Sequence, residues 1–295
     1  MNAAKRFTGA GWTERRRRRV VQSKTPGEEA LVSVSSLEVL TRVGFAARGI
    51  LYMAIGYLAL RTGGAVDNDD ALNFLGSGAG QFGLGLIAIG FLAYGLWRLS
   101  EAAIDTEGHG ANMKGIAIRI GGAISGLIHL GLSVYSARLA MGGRSGSQSG
   151  ANGASESASA ALSLPGGEVL LTVAAIAIAA TGLFQLIKAV KLGFLKHLDR
   201  GVARKAWIAW IGRAGYAARG VVFLIVGWFL WNAAQHASAA EAAGTGKAMA
   251  ALPEGLRVLV AAGFVLFGIF SIVEARYRTI NNPDVLSRLK RRLPG

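Results

Sequence analysis

An all-α membrane protein with six transmembrane helices, arranged as three tandem helix hairpins, is the fold class that three observations predict. First, 52% of the 295 residues are hydrophobic and only 17% are charged, with a mean hydropathy of +0.40, whereas a soluble domain carries about a quarter charged residues. Second, apolar stretches lie at 43–62, 82–100, 116–139, 168–190, 211–233 and 256–275, each close to the ~20 residues that cross a hydrocarbon core. Third, these stretches open and close with recurring motifs, so the helices come in pairs.

Residues 1–36 are polar and basic, with a run from Arg15 to Arg19, and are expected to form a disordered, retained cytoplasmic N-terminus. The first apolar run starts too late for a cleaved secretory signal. Repeat 1 is assigned to 37–110, repeat 2 to 111–206 and repeat 3 to 207–280, each with two transmembrane helices, and 281–295 is a basic cytoplasmic tail. None of the five prolines falls inside an apolar stretch, so continuous helices satisfy their own backbone hydrogen bonds in lipid. Of the loops on the far side, the first holds Asp67, Asp69 and Asp70. It lacks calcium-loop spacing and reads as a surface helix start capped by Asn68 or Asp69. The second, Gly142 to Ser163, is rich in Gly, Ser and Ala and is expected to be flexible. The glycines around 78–85 read as loop and packing residues.

Most of the 32 lysines and arginines fall on the N-terminal side of the predicted membrane. The positive-inside rule then places both termini in the cytoplasm. Trp207 and Trp210 are expected at the inner interface, and Trp228 and Trp231 at the outer one.

The odd stretches begin alike: Arg42-Val-Gly-Phe-Ala-Ala-Arg48-Gly49, Arg119-Ile-Gly-Gly-Ala-Ile-Ser125-Gly126 and Arg213-Ala-Gly-Tyr-Ala-Ala-Arg219-Gly220. Among the even ones, Gly90-Phe-Leu-Ala-Tyr94-Gly95 through Glu101 matches Gly263-Phe-Val-Leu-Phe267-Gly268 through Glu274. The fourth offers Thr181-Gly182-Leu-Phe184 through Lys188. Aligning instead on Leu164-Pro165 with Leu252-Pro253 shifts that register by two, which leaves the counterpart of Glu101 in repeat 2 open. Three parallel hairpins permit a pseudo-threefold bundle, packed through glycines such as Gly49, Gly56, Gly122, Gly126, Gly220 and Gly227.

With these tandem motifs over about 37–280, the chain resembles the bacterial integral membrane family catalogued as domain of unknown function 1206. The resemblance implies a three-repeat, six-helix protein of the bacterial inner membrane and brings no established activity. Repeat 2 departs from the pattern, with Ser125 where the others have Arg48 and Arg219.

Arg48 lies about 9 Å further along its helix than Arg42, past the usual interfacial position, and needs a partner. The sequence predicts ion pairs Arg48–Glu101 and Arg219–Glu274, or the crossed pairs between repeats. Either these pairs pin the hairpins, or the two arginines, with Lys188 and nearby aromatics, form an inner-leaflet anion site between repeats for a lipid phosphate or anionic solute. His129 reads as a packed or hydrogen-bonded core residue, and Tyr135 as an interfacial anchor. A bis-histidine haem would need a second histidine at membrane depth.

Cysteine is absent, which excludes disulfides, thiolate nucleophiles and cysteine-ligated metals. There is no HExxH, P-loop or GxSxG, and no compact cluster of acid and histidine that would suggest membrane proteolysis or lipid transfer. No catalytic residue, metal ligand or cofactor is assigned, and no enzyme activity is expected. The basic run reads as a topogenic, anionic-lipid element rather than a nucleic-acid site. Expected partners are membrane lipids, chiefly anionic phospholipids at the cytoplasmic face, and subunits of a membrane complex, with no nucleic acid. Two functions compete: a non-enzymatic scaffold, accessory subunit or lipid-organising protein, and a small-solute or ion transporter or channel. The latter would use the axis between repeats and line it with Arg48, Arg219, Ser125 and His129.

Overall fold

In a computed structural model the described residues are 26–63, 66–105, 109–143 and 153–279, the side chains of 26–38 and Lys114 excepted. The Arg15–Arg19 run and the 281–295 tail lie outside them. Among the described residues are helices α1 (Pro26–Thr62), α2 (Asn68–Ile104), α3 (Met113–Ala140), α4 (Gly153–Leu162), α5 (Gly167–Lys191), α6 (Arg200–Ala203), α7 (Ala206–Gln235), α8 (Thr245–Ala250) and α9 (Glu254–Tyr277). Six of them, α1, α2, α3, α5, α7 and α9, are long and apolar enough to cross a membrane. They include all six predicted stretches.

Three boundaries differ from the sequence reading. First, α1 starts at Pro26, inside the segment expected to be disordered. Proline suits a first helical turn, where its missing N–H has no partner to lose. Second, α2 starts at Asn68 rather than near 82. Its N-cap is Asp67, one or two residues earlier than expected, and it completes a capping box with Asp70. The two parts of this helix meet at Gly80, whose φ of 65° and ψ of −170° suit glycine. Third, the second half of the loop expected to be flexible is α4. Its alanines favour helix, and Ala158 is buried with Leu171 of α5 and Leu230, Ala233 and Ala234 of α7.

The bundle is ordered α3, α2, α1, α9, α7, α5, each helix packing along the next. It curves around one interior, since Leu132 of α3 and Val222 of α7 share a buried cluster with Leu51, Ile55, Phe91 and Phe264. In repeat terms, the first helix of each repeat packs on the second helix of another: α1 on α9, α3 on α2 and α7 on α5. Contacts within a repeat join α1 to α2 and α7 to α9. The sixth contact of a closed ring, α3 to α5, has no comparable packing face.

Glycine geometry explains the opening. A methyl group added at Gly44 would lie 2.7 Å from the Tyr94 Cα, and one at the equivalent Gly215 would lie 2.6 Å from the Phe267 Cα. At Gly121, the counterpart in repeat 2, it would meet nothing within 4 Å. The hairpins of repeats 1 and 3 are therefore zipped along their lengths, and that of repeat 2 is spread across the two ends of the arc. Its helices present Ile120, Ile124, Leu127, Val173, Ile176 and Leu183 outward, an apolar surface that hydrocarbon accommodates and water does not. Trp207 and Trp210 at one end of α7, and Trp228 and Trp231 toward the other, are exposed. At 1.5 Å per residue, Trp207 and Trp228 are about 31 Å apart, close to one hydrocarbon thickness.

Candidate functional site: three equivalent crossings with unequal charges

At each crossing between repeats, two glycines bring the backbones together. Gly49 of α1 meets Gly268 of α9, Gly126 of α3 meets Gly95 of α2, and Gly220 of α7 meets Gly182 of α5. A methyl group on any of them would lie 2.6–3.1 Å from the opposing carbonyl oxygen. This equivalence resolves the open register. Gly182 corresponds to Gly95 and Gly268, so Lys188 stands where repeats 1 and 3 have Glu101 and Glu274. Immediately before the opposing glycines stand Arg48, Ser125 and Arg219. The crossings therefore bring together the positions of Arg48 and Glu274, Ser125 and Glu101, and Arg219 and Lys188.

The first crossing is charge-matched. Arg48 donates from Nη2 to Glu274 Oε2 at 2.6 Å and to Ser271 Oγ at 3.1 Å. Its Nη1 donates to Tyr94 Oη at 2.8 Å. Arg278 Nη1 donates to the other oxygen of Glu274 at 2.9 Å. Phe45, Tyr94 and Phe267 surround the Arg48 guanidinium at 4.4–5.2 Å, and Arg48 and Glu274 are both buried. The pairs expected within repeats, Arg48–Glu101 and Arg219–Glu274, do not form. The crossed pair Arg48–Glu274 does, because the first helices pack more closely on another repeat than on their own.

At the second crossing, Ser125 leaves Glu101 without the arginine its position receives elsewhere. The fully buried carboxylate lies 3.4 Å from Arg98 Nη1 and 3.1 Å from His109 Nδ1. Asp105 caps the end of α2 in a left-handed conformation. It accepts the backbone N–H of His109 at 2.6 Å and that of Gly110 at 2.9 Å. One donor atom from each of Glu101, Asp105 and His109 falls within 4.8 Å of the others. The sequence reading did not single out this acid and histidine cluster, whose signal is the spacing of four residues repeated twice.

The third crossing brings together two cations. The Arg219 guanidinium lies over Tyr52, Phe223 and Phe267 at 4.8, 5.1 and 4.5 Å, and its Nε is buried without a hydrogen bond. Lys188 Nζ lies 4.8 Å from the Phe184 ring and 5.8 Å from that of Tyr216. Tyr216 packs edge-on against Phe267, so Lys188 and Arg219 flank one aromatic pair. His129 is a packed residue as expected. Its Nδ1 lies 2.7 Å from the Ser125 carbonyl and its ring 4.4 Å from that of Tyr94.

At the opposite end of the bundle, Asp67 Oδ1 accepts the N–H of Gly246 in α8 at 2.7 Å. Burial pushes this carboxyl above its ordinary value of 3.8, against the lowering effect of that hydrogen bond. Tyr135, expected as an interfacial anchor, packs as a partly buried residue against the cluster that holds Leu72 and Leu132. Repetition alone did not reveal the roles of Tyr94, Ser271, Tyr52 and Phe267, whose partners are distant in sequence, or of Arg278, whose partner Glu274 is four residues away at the end of the same helix.

These features define the class: an integral membrane protein of six spanning helices built from three copies of one hairpin. The chain belongs to the family described as Domain of Unknown Function (DUF1206), whose model matches residues 43–105, 120–191 and 214–278. It is 31% identical over 252 residues to a protein of Bacillus subtilis (strain 168) described as "Uncharacterized protein YxxB", covering 80% of this chain and 90% of that one. No solved structure matches.

Proposed function

We propose that this protein is a non-enzymatic, lipid-organising membrane protein that holds an anionic phospholipid headgroup between Arg219 and Lys188. In this reading it lies in a bacterial cytoplasmic membrane with both termini inside, and partner subunits dock on its apolar exterior. The observation that carries the proposal is the third crossing. Where the equivalent position supplies Glu274 to Arg48, Arg219 faces the position of a second cation. The Arg219 guanidinium, among aromatic rings and with its Nε buried without a hydrogen bond, can take an anion, and a phosphate offers the bidentate oxygens that a guanidinium prefers. The unpacked side between α3 and α5 supports acyl-chain access, because both helices flank it with apolar side chains. Arg48 is left out of this anion site, since its two terminal nitrogens already have protein partners.

The interior supports this reading over a pathway along the axis. Phe91, Phe264, Phe267 and Val222 fill it at no more than 1% exposure each, as close packing requires.

The test is native mass spectrometry of protein released from nanodiscs containing phosphatidylglycerol and phosphatidylcholine. The wild type should retain one phosphatidylglycerol. Arg219→Gln combined with Lys188→Gln should lose it with an unchanged thermal midpoint. Equal retention of both lipids, or retention by the double variant, overturns the proposal. Retention of inorganic phosphate in place of lipid would keep the anion site and overturn the lipid.

A further inference from the structure

The geometry points to a divalent transition-metal site at the end of α2, formed by Glu101, Asp105 and His109 and independent of the anion site. The starting point is a charge imbalance. Glu101 is buried completely, yet Ser125 occupies the place from which its equivalent, Glu274, draws an arginine. Glu274 has two arginines at 2.6 and 2.9 Å, whereas Glu101 has one contact with Arg98, at 3.4 Å. In addition, the residue four positions further on is Arg278 in repeat 3 and Asp105 in repeat 1. That exchange removes one positive charge beside the glutamate and adds a negative one. The fully buried Glu101 therefore has one long arginine contact and the imidazole of His109 at 3.1 Å in place of two short arginine pairs, a poorer compensation for a buried carboxylate.

The donor set suits a metal ion. Glu101 Oε1 is buried and accepts no hydrogen bond, although His109 Nδ1 is only 3.1 Å away. Two donors each about 2.1 Å from a tetrahedral zinc ion are separated by about 3.4 Å, so this spacing is that of two ligands sharing an ion. Asp105 Oδ1 is 3.8 Å from His109 Nδ1, within reach of a small side-chain adjustment. Its hydrogen bonds from the N–H groups of His109 and Gly110 hold the carboxylate in place, as outer-shell bonds do around metal ligands. Room for the Glu101 carboxylate comes from Gly122 of α3, where a methyl group would lie 2.7 Å from Oε2. One imidazole with two carboxylates is a ligand set for Zn²⁺ or Mn²⁺, whereas Ca²⁺ and Mg²⁺ prefer oxygen alone. His109 is only partly buried, which gives an ion an entry route.

The experiment uses the full-length, tag-free protein in nanodiscs, stripped with chelator, dialysed and titrated calorimetrically with Zn²⁺. One equivalent should bind, and saturating Zn²⁺ should raise the thermal midpoint. His109→Gln and Glu101→Gln should each weaken binding at least tenfold and abolish the metal-dependent shift, while His236→Gln, at an exposed pair on the opposite side, should leave both unchanged. Mn²⁺ paramagnetic resonance provides a second readout, with a bound signal in the wild type and none in His109→Gln. Absence of stoichiometric binding, or wild-type affinity in His109→Gln, overturns the site. If Glu101→Gln fails to fold, His109→Gln and the Mn²⁺ signal still decide the matter.

Discussion

Repeats 1 and 3 differ from repeat 2 in a way that shows how a duplicated hairpin acquires distinct parts. In repeats 1 and 3, Gly44 and Gly215 seat the two helices of the hairpin against one another, and each first helix carries an arginine. In repeat 2 the equivalent Gly121 faces open space, Ser125 replaces the arginine and Lys188 replaces the glutamate. The glycine-mediated crossings survive in all three copies, so the scaffold is preserved while its charges are redistributed. One crossing is a satisfied ion pair, one a carboxylate lacking its arginine and one a pair of cations.

The largest effect should come from breaking the satisfied crossing. Arg48→Met leaves Glu274 buried with only Arg278 and should cost about 3–5 kcal/mol, measured by thermal or denaturant unfolding in detergent. Arg219→Met, at the equivalent position in repeat 3, should cost less than about 1 kcal/mol because no carboxylate loses its partner. Equal losses would dissolve the distinction between the crossings.

Next in size is the hairpin contact. Gly44→Ala forces a methyl group against the Tyr94 backbone and should cost about 1–3 kcal/mol. Gly121→Ala meets nothing and should be neutral or stabilising by up to about 1 kcal/mol through helix propensity. A large loss in the second variant would mean that repeat 2 closes in the membrane.

Lys188→Glu should restore the pattern of the first crossing by giving Arg219 a carboxylate. The expected gain is about 1 kcal/mol, together with loss of phosphatidylglycerol retention in the mass spectrum. An unchanged lipid signal would separate the crossing from the lipid.

The smallest effect concerns Asp67, which fastens repeat 1 to α8 of repeat 3. Burial raises its folded value, so the ionised form is the less favoured one in the fold. This contribution to stability is therefore fully present below the ordinary value of 3.8 and is lost as pH rises through the window up to the raised folded value. Asp67→Asn retains an oxygen acceptor for Gly246 and should flatten this slope across unfolding curves collected over a pH series. Asp67→Ala should remove the slope as well and cost about 0.5–1 kcal/mol through loss of the cap and the Gly246 bond.

Much of this architecture was legible in the residues. All six apolar stretches are spanning helices, and the pairing of motifs such as Arg42–Gly49 with Arg213–Gly220 disclosed the repeats. The choice between Arg48–Glu101 and Arg48–Glu274 was not legible, because both glutamates lie at the same depth and sequence spacing does not say which helix is the neighbour. The Glu101, Asp105 and His109 cluster was overlooked because His109 lies beyond the end of α2, where helical spacing no longer says which side chains meet. The helix start beside Asp67 was legible, but its continuity with the apolar stretch at 82–100 was not, because Gly80 interrupts the hydrophobic pattern and divides α2.

By itself, then, the sequence determined that the chain crosses a membrane six times, that it does so in three related hairpins, and which positions correspond in most of them. These are local properties, set by hydropathy over about twenty residues and by repeated motifs. Tertiary structure alone decided that the repeats interlock through their neighbours, that the ring is open within repeat 2, and that Arg48, Glu101 and Arg219 meet different partners. The reason is physical: equivalent residues become unequal only when helix packing fixes which opposing side chain fills the space beside each charge.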